Sequence, residues 1–270
     1  MEVKLMKIFI SILTILFCIN FSSQVFAANA AGVASIFKIT LTKIELCTAV
    51  PLDGKNDTTC TGSTTVGTGN KEFDVASVDA GAQVGSFVST AGLPIGTTFT
   101  HAKPTMSREV KVKGYVEIDS NCWCRTESDS TYNSSTGKYK SVLYGVCETS
   151  EADAIANAEE GTYYIQTDTT DGTTICANAA CDSGSNQSMD YTKDTTSLNA
   201  QYGLAMNDPA IGDTTFDMIY QLESNYTVGV TSPKIDLAFG TQTALFANEW
   251  TDGSCYVEPY YVRSTVTISE

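Results

Sequence analysis

The alternation of apolar and polar residues along this chain predicts an all-β protein. In the strand predicted at 108–118, valine, glycine or isoleucine occupies every second position from 110 onward, and charged residues or tyrosine fill the positions between them. Successive side chains of a strand point to opposite faces of the sheet, so this pattern is typical of an antiparallel strand with one buried and one wet face. Related patterns predict further strands at 35–47, 72–78, 141–147, 162–166, 215–222, 226–230, 234–239 and 256–268.

The strand predicted at 35–47 contains a break in its own pattern. Its apolar residues first take odd positions and then even positions, at Phe37, Ile39, Leu41, Ile44 and Leu46. A β-bulge adds one residue to a strand and restores a single apolar face. We therefore predict a bulge near Thr42 and Lys43.

One segment, 150–160, carries the signals of a helix. Ser150 is a candidate N-cap, Glu151 and Asp153 suit the positive end of the helix dipole, and Gly161 is a candidate C-cap. The segment 244–250 has no clear period and is left open between helix and strand.

The first 27 residues have the layout of a secretory signal peptide. Lys4 and Lys7 precede an apolar run at 8–21, and Val25-Phe26-Ala27 places small residues at the two positions that a signal peptidase reads. The run is short for a membrane span. We expect cleavage after Ala27 and a mature protein that is secreted, held at the cell surface or periplasmic, without an integral membrane segment.

Nine cysteines occur in the chain, and eight remain once Cys18 leaves with the leader: Cys47, Cys60, Cys122, Cys124, Cys147, Cys176, Cys181 and Cys255. An even number in an exported chain predicts disulfides. Cys122 and Cys124 are too far apart on one strand to bond each other, so we expect Cys147 and Cys255 to be their partners. Two local loops, Cys47–Cys60 and Cys176–Cys181, would remain. The alternative for Cys122, Cys124 and Cys147 is a thiolate metal site, which export and a single histidine disfavour.

Composition narrows the class of protein. Charged residues are 17% and aromatic residues 10% of the chain, which suits a folded β-protein rather than a disordered one. The net charge of −15 disfavours nucleic acid as a partner. No cofactor is predicted, although Asp-rich loops at 53–57, 168–172 and 208–213 offer oxygen ligands for Ca²⁺.

We predict that residues 28–270 form a single antiparallel β-sandwich domain. The segment 121–198 is rich in Ser, Thr, Asp and Asn and holds five of the eight remaining cysteines. It is therefore expected to be a cysteine-rich, disulfide-pinned insertion that contains the one short helix.

Aromatic side chains offer one candidate binding site. A carbohydrate-stacking face could be built from Trp123, Trp250, Tyr256, Tyr260 and Tyr261.

Catalytic candidates are few. Glu117-Ile118-Asp119 resembles part of the Glu-Ile-Asp-x-Glu strand of some jelly-roll glycoside hydrolases, but Asn121 or Cys122 stands where the second glutamate belongs. His101 is the single histidine of the chain, and no nucleophile motif accompanies it. No catalytic residue is assigned.

The residues Leu-Pro-Ile-Gly-Thr-Thr-Phe-Thr at 93–100 resemble the turn and strand of prealbumin-like or immunoglobulin-like β-sandwich modules in bacterial secreted and surface proteins. In this turn Pro94 presets φ and Gly96 permits a positive φ. The resemblance implies a β-sandwich and no particular chemistry.

The combined expectation is an exported, non-enzymatic structural or adhesive protein that associates with itself, another surface protein or a polysaccharide. A specific form is a filament or surface-layer subunit in which the strand at 35–47, preceded by small residues at 28–34, inserts into a neighbour's sheet. The alternatives are a carbohydrate-binding module and a jelly-roll glycoside hydrolase.

Overall fold

The structure is a computed structural model, and it describes most of the chain from Ala30 onward. The described residues are 30–51, 58–77, 92–128, 131–133, 138–140, 144–168, 172–176, 184–189, 205–206, 213–231, 233–249, 254–260 and 263–269. The predicted signal peptide lies outside these ranges.

The described residues form eighteen strands and one helix. The first nine strands are β1 (Ala30–Gly32), β2 (Ala34–Cys47), β3 (Thr64–Asp74), β4 (Thr98–Ser107), β5 (Glu109–Asp119), β6 (Cys122–Arg125), β7 (Thr131–Asn133), β8 (Lys138–Lys140) and β9 (Tyr144–Glu148). After helix α1 (Glu151–Asn157) come β10 (Gly161–Asp168), β11 (Gly172–Cys176), β12 (Gly184–Met189), β13 (Ala205–Met206), β14 (Thr215–Thr227), β15 (Lys234–Gly240), β16 (Leu245–Glu249), β17 (Ser254–Pro259) and β18 (Arg263–Ser269). The predicted all-β, antiparallel class is thereby confirmed, whereas a sandwich of two sheets stays a prediction.

Strand β2 lies at the centre of a 14-stranded sheet. One edge of β2 pairs with β3, and the other pairs first with β5 and then with β4. The register to both β3 and β4 shifts between Leu41 and Lys43, so the predicted bulge is confirmed. The hydroxyl of Thr42, the extra residue, donates to the carbonyl oxygen of Thr105 at 3.1 Å.

The sheet continues from β5 through β6, β9, β17 and β16 to β1. Strand β1 is followed directly by β2, and β2 pairs with β5. The path of hydrogen-bonded strands that leaves β5 through β6 and reaches β1 through β16 therefore comes back to β5 by way of β2. The remaining strands extend the sheet: β14 pairs with β4 and β13, and β10 pairs with β5 and β11. Two strand pairs, β15–β18 and β7–β8, form separate small sheets.

The face of β5 that the alternation predicted to be buried is buried. Val110, Val112, Val116 and Ile118 are core residues, with at most 9% of any side chain exposed. They share the core with aliphatic and aromatic residues of β2, β4, β14, β16 and β17. The alternation in β5 therefore identifies the face of this strand that packs against the core.

The turn before β4 has the predicted conformation. Gly96 has φ of +81°, and the amide of Thr97 donates to the carbonyl oxygen of Pro94 at 3.1 Å. This closes a tight turn that leads into β4, as the residues at 93–100 predicted.

Several predicted segments have other bounds in the structure. The strand predicted at 72–78 is the end of the longer β3, and the strands predicted at 215–222 and 226–230 are one strand, β14. Helix α1 stops at Asn157, three residues short of the predicted end, and its C-cap is Ala158 rather than Gly161, which begins β10. The predicted N-cap is confirmed, since the Ser150 side chain accepts from the amide of Asp153. The strand predicted at 256–268 is two strands, β17 and β18, and the open segment at 244–250 contains β16.

The range predicted as an insertion, 121–198, supplies strands to the main sheet. Strand β6 pairs with β5 and β9, and β10 also pairs with β5. The division of the chain into a domain and an insertion stays a prediction. Within the described part of the chain, no helix combines the length and the apolar character that crossing a membrane requires.

Candidate functional site

The aromatic residues predicted to bind sugar do not form one exposed face. Tyr256 is only 1% exposed, so its ring is not accessible to a ligand at the surface. Tyr260 stacks on Phe246 with ring centroids 5.5 Å apart and packs against the core. Trp250 and Tyr261 lie outside the described residues.

Trp123 retains a surface position on the outer face of β6. Its ring lies 5.8 Å from that of Tyr115, the planes tilted by 51°. The Tyr115 hydroxyl donates to the Glu151 carboxylate of α1 at 2.6 Å, and this hydrogen bond is the main reason that the Tyr115 pKa is raised. The two half-buried rings form a small aromatic surface beside the start of α1.

The two carboxylates of the glycosidase-like segment, Glu117 and Asp119, are solvent exposed at the end of β5. Across the strand pair, Glu117 lies opposite Trp123 and Asp119 opposite Cys122, so neither faces a carboxylate on β6. Asp119 accepts a hydrogen bond from the amide of Asn121 at 2.6 Å, which closes the turn to β6. This arrangement gives Asp119 a structural role in the turn.

His101 is embedded in the sheet rather than in a catalytic arrangement. On β4 it lies between Cys47 of β2 and Gln221 of β14. Its Nδ1 is 2.6 Å from the hydroxyl of Thr100, and burial lowers its pKa. The lowered pKa favours the neutral form of the ring.

The predicted calcium loops fall almost entirely outside the described residues. Asp168 and Gly172 are described as paired residues at the ends of β10 and β11. Asp213 is also described, and its main-chain carbonyl accepts a hydrogen bond from Arg108 Nη1 at 2.8 Å.

Three disulfides join six of the described cysteines. Cys47–Cys60 closes the predicted local loop, and Cys122–Cys147 and Cys124–Cys255 make the predicted longer links. Cys181 lies outside the described residues, so the pairing Cys176–Cys181 stays a prediction.

The two longer disulfides form a cluster on three neighbouring strands. β6 carries Cys122 and Cys124, β9 carries Cys147, and β17 carries Cys255. The sulfur atoms of Cys122, Cys147 and Cys255 all lie within 4.8 Å of one another. We call these four residues the cysteine cluster.

Gly145 makes the cluster possible. The Cys124–Cys255 bond joins β6 to β17 across the middle strand β9, where Gly145 lies opposite Cys255. A Cβ atom at Gly145 would lie 2.7 Å from Cys124 Sγ and would also collide with the carbonyl oxygen of Arg125. Only a residue without a side chain lets the disulfide pass over the strand.

A buried polar group lies just beyond the cluster, where β6 ends. Glu127 is fully buried and forms an ion pair with Arg125 Nη1. Arg125 Nε binds Glu148 at 2.8 Å, and Asn157 of α1 donates to the same Glu148 oxygen at 3.2 Å. One guanidinium thus links the end of β6, strand β9 and α1.

A second buried carboxyl group, Glu258, lies on β17. Burial raises its pKa to about 8, partly offset by the hydroxyl of Tyr256, which donates to its carboxylate. Tyr163 of β10 is also fully buried and donates to the carbonyl oxygen of Val257 at 3.4 Å. Burial raises the Tyr163 pKa, and the negative charges of Glu258 and Glu127 add to that rise.

The buried carboxyl groups of Glu127 and Glu258 do not reach a substrate in this structure, because both residues are at most 1% exposed. The ion pair of Glu127 with Arg125 can hold strand ends together. The Glu258 carboxyl, with its pKa raised to about 8, can bind a proton near neutral pH. Sequence reasoning did not find these two carboxyl groups, since neither glutamate belongs to a motif. The signal that could have found one of them is the position of Glu258 between the apolar residues Val257 and Pro259.

No known protein family, curated protein or solved structure matches this chain.

Proposed function

We propose that the chain is an exported, non-enzymatic protein with a structural or adhesive role outside the cell or at its surface. The observation that carries the proposal is the set of three disulfides, which requires an oxidising compartment to form and persist. The signal-peptide pattern of residues 1–27 and the net charge of −15 agree with export.

The fold supports a mechanical role through the way its strands are joined. Strands β6, β9 and β17 are hydrogen bonded and also cross-linked by two disulfides. A cross-linked antiparallel sheet resists unfolding because the links limit the freedom of the unfolded chain. This suits a protein that must persist without chaperones.

Self-association is proposed here without strand exchange. The hypothesis of an inserted first strand relied on 35–47, but β2 is paired along both edges within its own chain. Donating β2 to a neighbour would dismantle the centre of the donor's own sheet.

Fractionation of cells that produce the full chain tests the export step. We expect the protein in the extracellular or envelope fraction, with its first residue at Ala28 and no thiol that reacts before reduction. A full-length chain with free thiols in the cytosol would contradict the proposal.

Light scattering and negative-stain electron microscopy of the oxidised protein, over a range of concentrations and with or without Ca²⁺, test the structural role. Filaments, a lattice or concentration-dependent assembly are expected. A monomer under all conditions that also fails to adhere to cells would refute this role while leaving export intact.

A second candidate function, carbohydrate binding, is favoured by the half-buried ring pair Tyr115 and Trp123. Aromatic rings at a surface can stack on the apolar face of a sugar. A glycan array probed with the wild type, with W123A and with Y260A tests it. Binding lost in W123A and kept in Y260A would support this function, and absence of binding by the wild type would remove it.

A further inference from the structure

The four sulfur atoms of the cysteine cluster are also suited to bind a metal ion. They come from three adjacent strands, with Cys124 directly opposite Cys147 in the register and Cys122 two residues along the same face. Cys255 approaches from β17 over the space left by Gly145. The sheet therefore brings four cysteines to one point, whichever bonds join them.

The spacing suits a tetrahedral thiolate site. Three of the sulfur atoms lie within 4.8 Å of one another, and the fourth, Cys124 Sγ, is bonded to that of Cys255. Zinc bound by four thiolates has zinc–sulfur distances of about 2.3 Å, so its sulfur atoms are roughly 3.8 Å apart. Once the two disulfides are reduced, the four sulfur atoms need to move only slightly to reach that arrangement.

The surroundings also suit a soft metal ion. Cys122, Cys124 and Cys255 are at most 2% exposed, and the core residues Tyr256 and Val257 follow Cys255 on β17. Closed, buried sites with four sulfur ligands are typical of structural zinc sites. Cys47, at the end of β2, is bonded to Cys60, and neither residue joins this group.

We propose that the reduced chain binds one Zn²⁺ ion, or another thiophilic d¹⁰ ion, through Cys122, Cys124, Cys147 and Cys255. Every exported chain is synthesised with reduced thiols. The metal-bound form would therefore exist before the disulfides form. The metal would join β6, β9 and β17 in place of the two disulfides.

Oxidation exchanges one form for the other. Two molecules of a small disulfide such as oxidised glutathione accept four electrons from the four thiolates. Two protein disulfides form, four glutathione thiolates leave, and the metal ion is released. Metal and disulfides are therefore mutually exclusive at this site.

The test uses the full chain, reduced without oxygen and titrated with Co²⁺ as a spectroscopic probe. We expect one Co²⁺ per chain with the visible absorption of tetrahedral cobalt–thiolate, displaced by equimolar Zn²⁺. The variant C147S/C255S should lose this absorption. Two control variants, C47S/C60S and C176S/C181S, remove the same number of thiols elsewhere and should retain it.

Two results would overturn the proposal. One is the absence of stoichiometric cobalt–thiolate absorption in the reduced wild type. The other is absorption that survives in C147S/C255S but is lost in C176S/C181S, which would place the ligands elsewhere. Circular dichroism of the reduced chain with and without Zn²⁺ shows whether metal restores β-structure, and so separates a failure to fold from a failure to bind.

A second measurement tests the exchange. In the variant C18S/C47S/C60S/C176S/C181S, which keeps only the four proposed ligands, oxidised glutathione added to the zinc-loaded chain should release one zinc ion for every four thiols consumed, as followed by a zinc-sensitive dye. Zinc that stays bound after four thiols are lost would refute the exchange.

Discussion

Removal of the Cys124–Cys255 disulfide should destabilise the protein more than removal of Cys47–Cys60. A disulfide limits the conformational entropy of the unfolded chain, and this effect grows with the length of the loop it closes. The two bonds span 131 and 13 residues respectively. Loop-closure entropy then predicts losses of about 5 and about 3 kcal/mol at 25 °C.

The variants C124A/C255A and C47A/C60A make this comparison. The Cys122–Cys147 bond spans 25 residues and overlaps only the start of the long loop, so it shortens that loop only slightly. Urea unfolding of the oxidised proteins, followed by tryptophan fluorescence, gives the free energy of unfolding of each. We expect C124A/C255A to be less stable than C47A/C60A by about 2 kcal/mol. Equal losses, or a larger loss in C47A/C60A, would refute the reasoning that loop length governs these links.

Three further predictions follow from single residues. G145A should destabilise the protein by about 1–3 kcal/mol in urea unfolding and leave Cys124 reactive in a thiol assay, because a Cβ atom collides with that sulfur; full stability with no free thiol would contradict this. In the folded protein the pKa of the Glu258 carboxyl is raised from 4.5 to about 8, so as pH rises the unfolded chain loses this proton at a lower pH than the folded protein does. Stability should therefore fall between pH 4.5 and 8 and then level off, and a fall of equal size in E258Q would argue against it. S150A should cost about 1 kcal/mol through the lost cap of α1, with the neighbouring T149A as a control, and equal effects of the two would contradict the cap.

Local features of this fold could be predicted from sequence because their causes are local. The bulge at Thr42 follows from a one-residue slip of the apolar positions. The buried face of β5 follows from strict alternation. The Ser150 cap follows from the position of its side chain three residues before Asp153, whose amide donates to it. In each case the deciding residues are neighbours in the chain.

The features that could not be predicted depend on residues far apart. The Tyr256 ring was a plausible binding residue by type, yet its position on β17 buries it completely. Glu127 and Glu258 resemble surface residues, and only the packing of β10 and β17 at the end of β6 encloses them. The order of strands around β2 joins segments that no local pattern connects.

The pairing of β1 with β16 has a consequence for how the protein can be made. Ala30 lies opposite Ala247, so the first described strand meets its partner only after more than two hundred residues have been synthesised. Native contacts of such large sequence separation make folding slow, because a long loop must close before they form. The chain therefore leaves the ribosome well before it can complete its sheet.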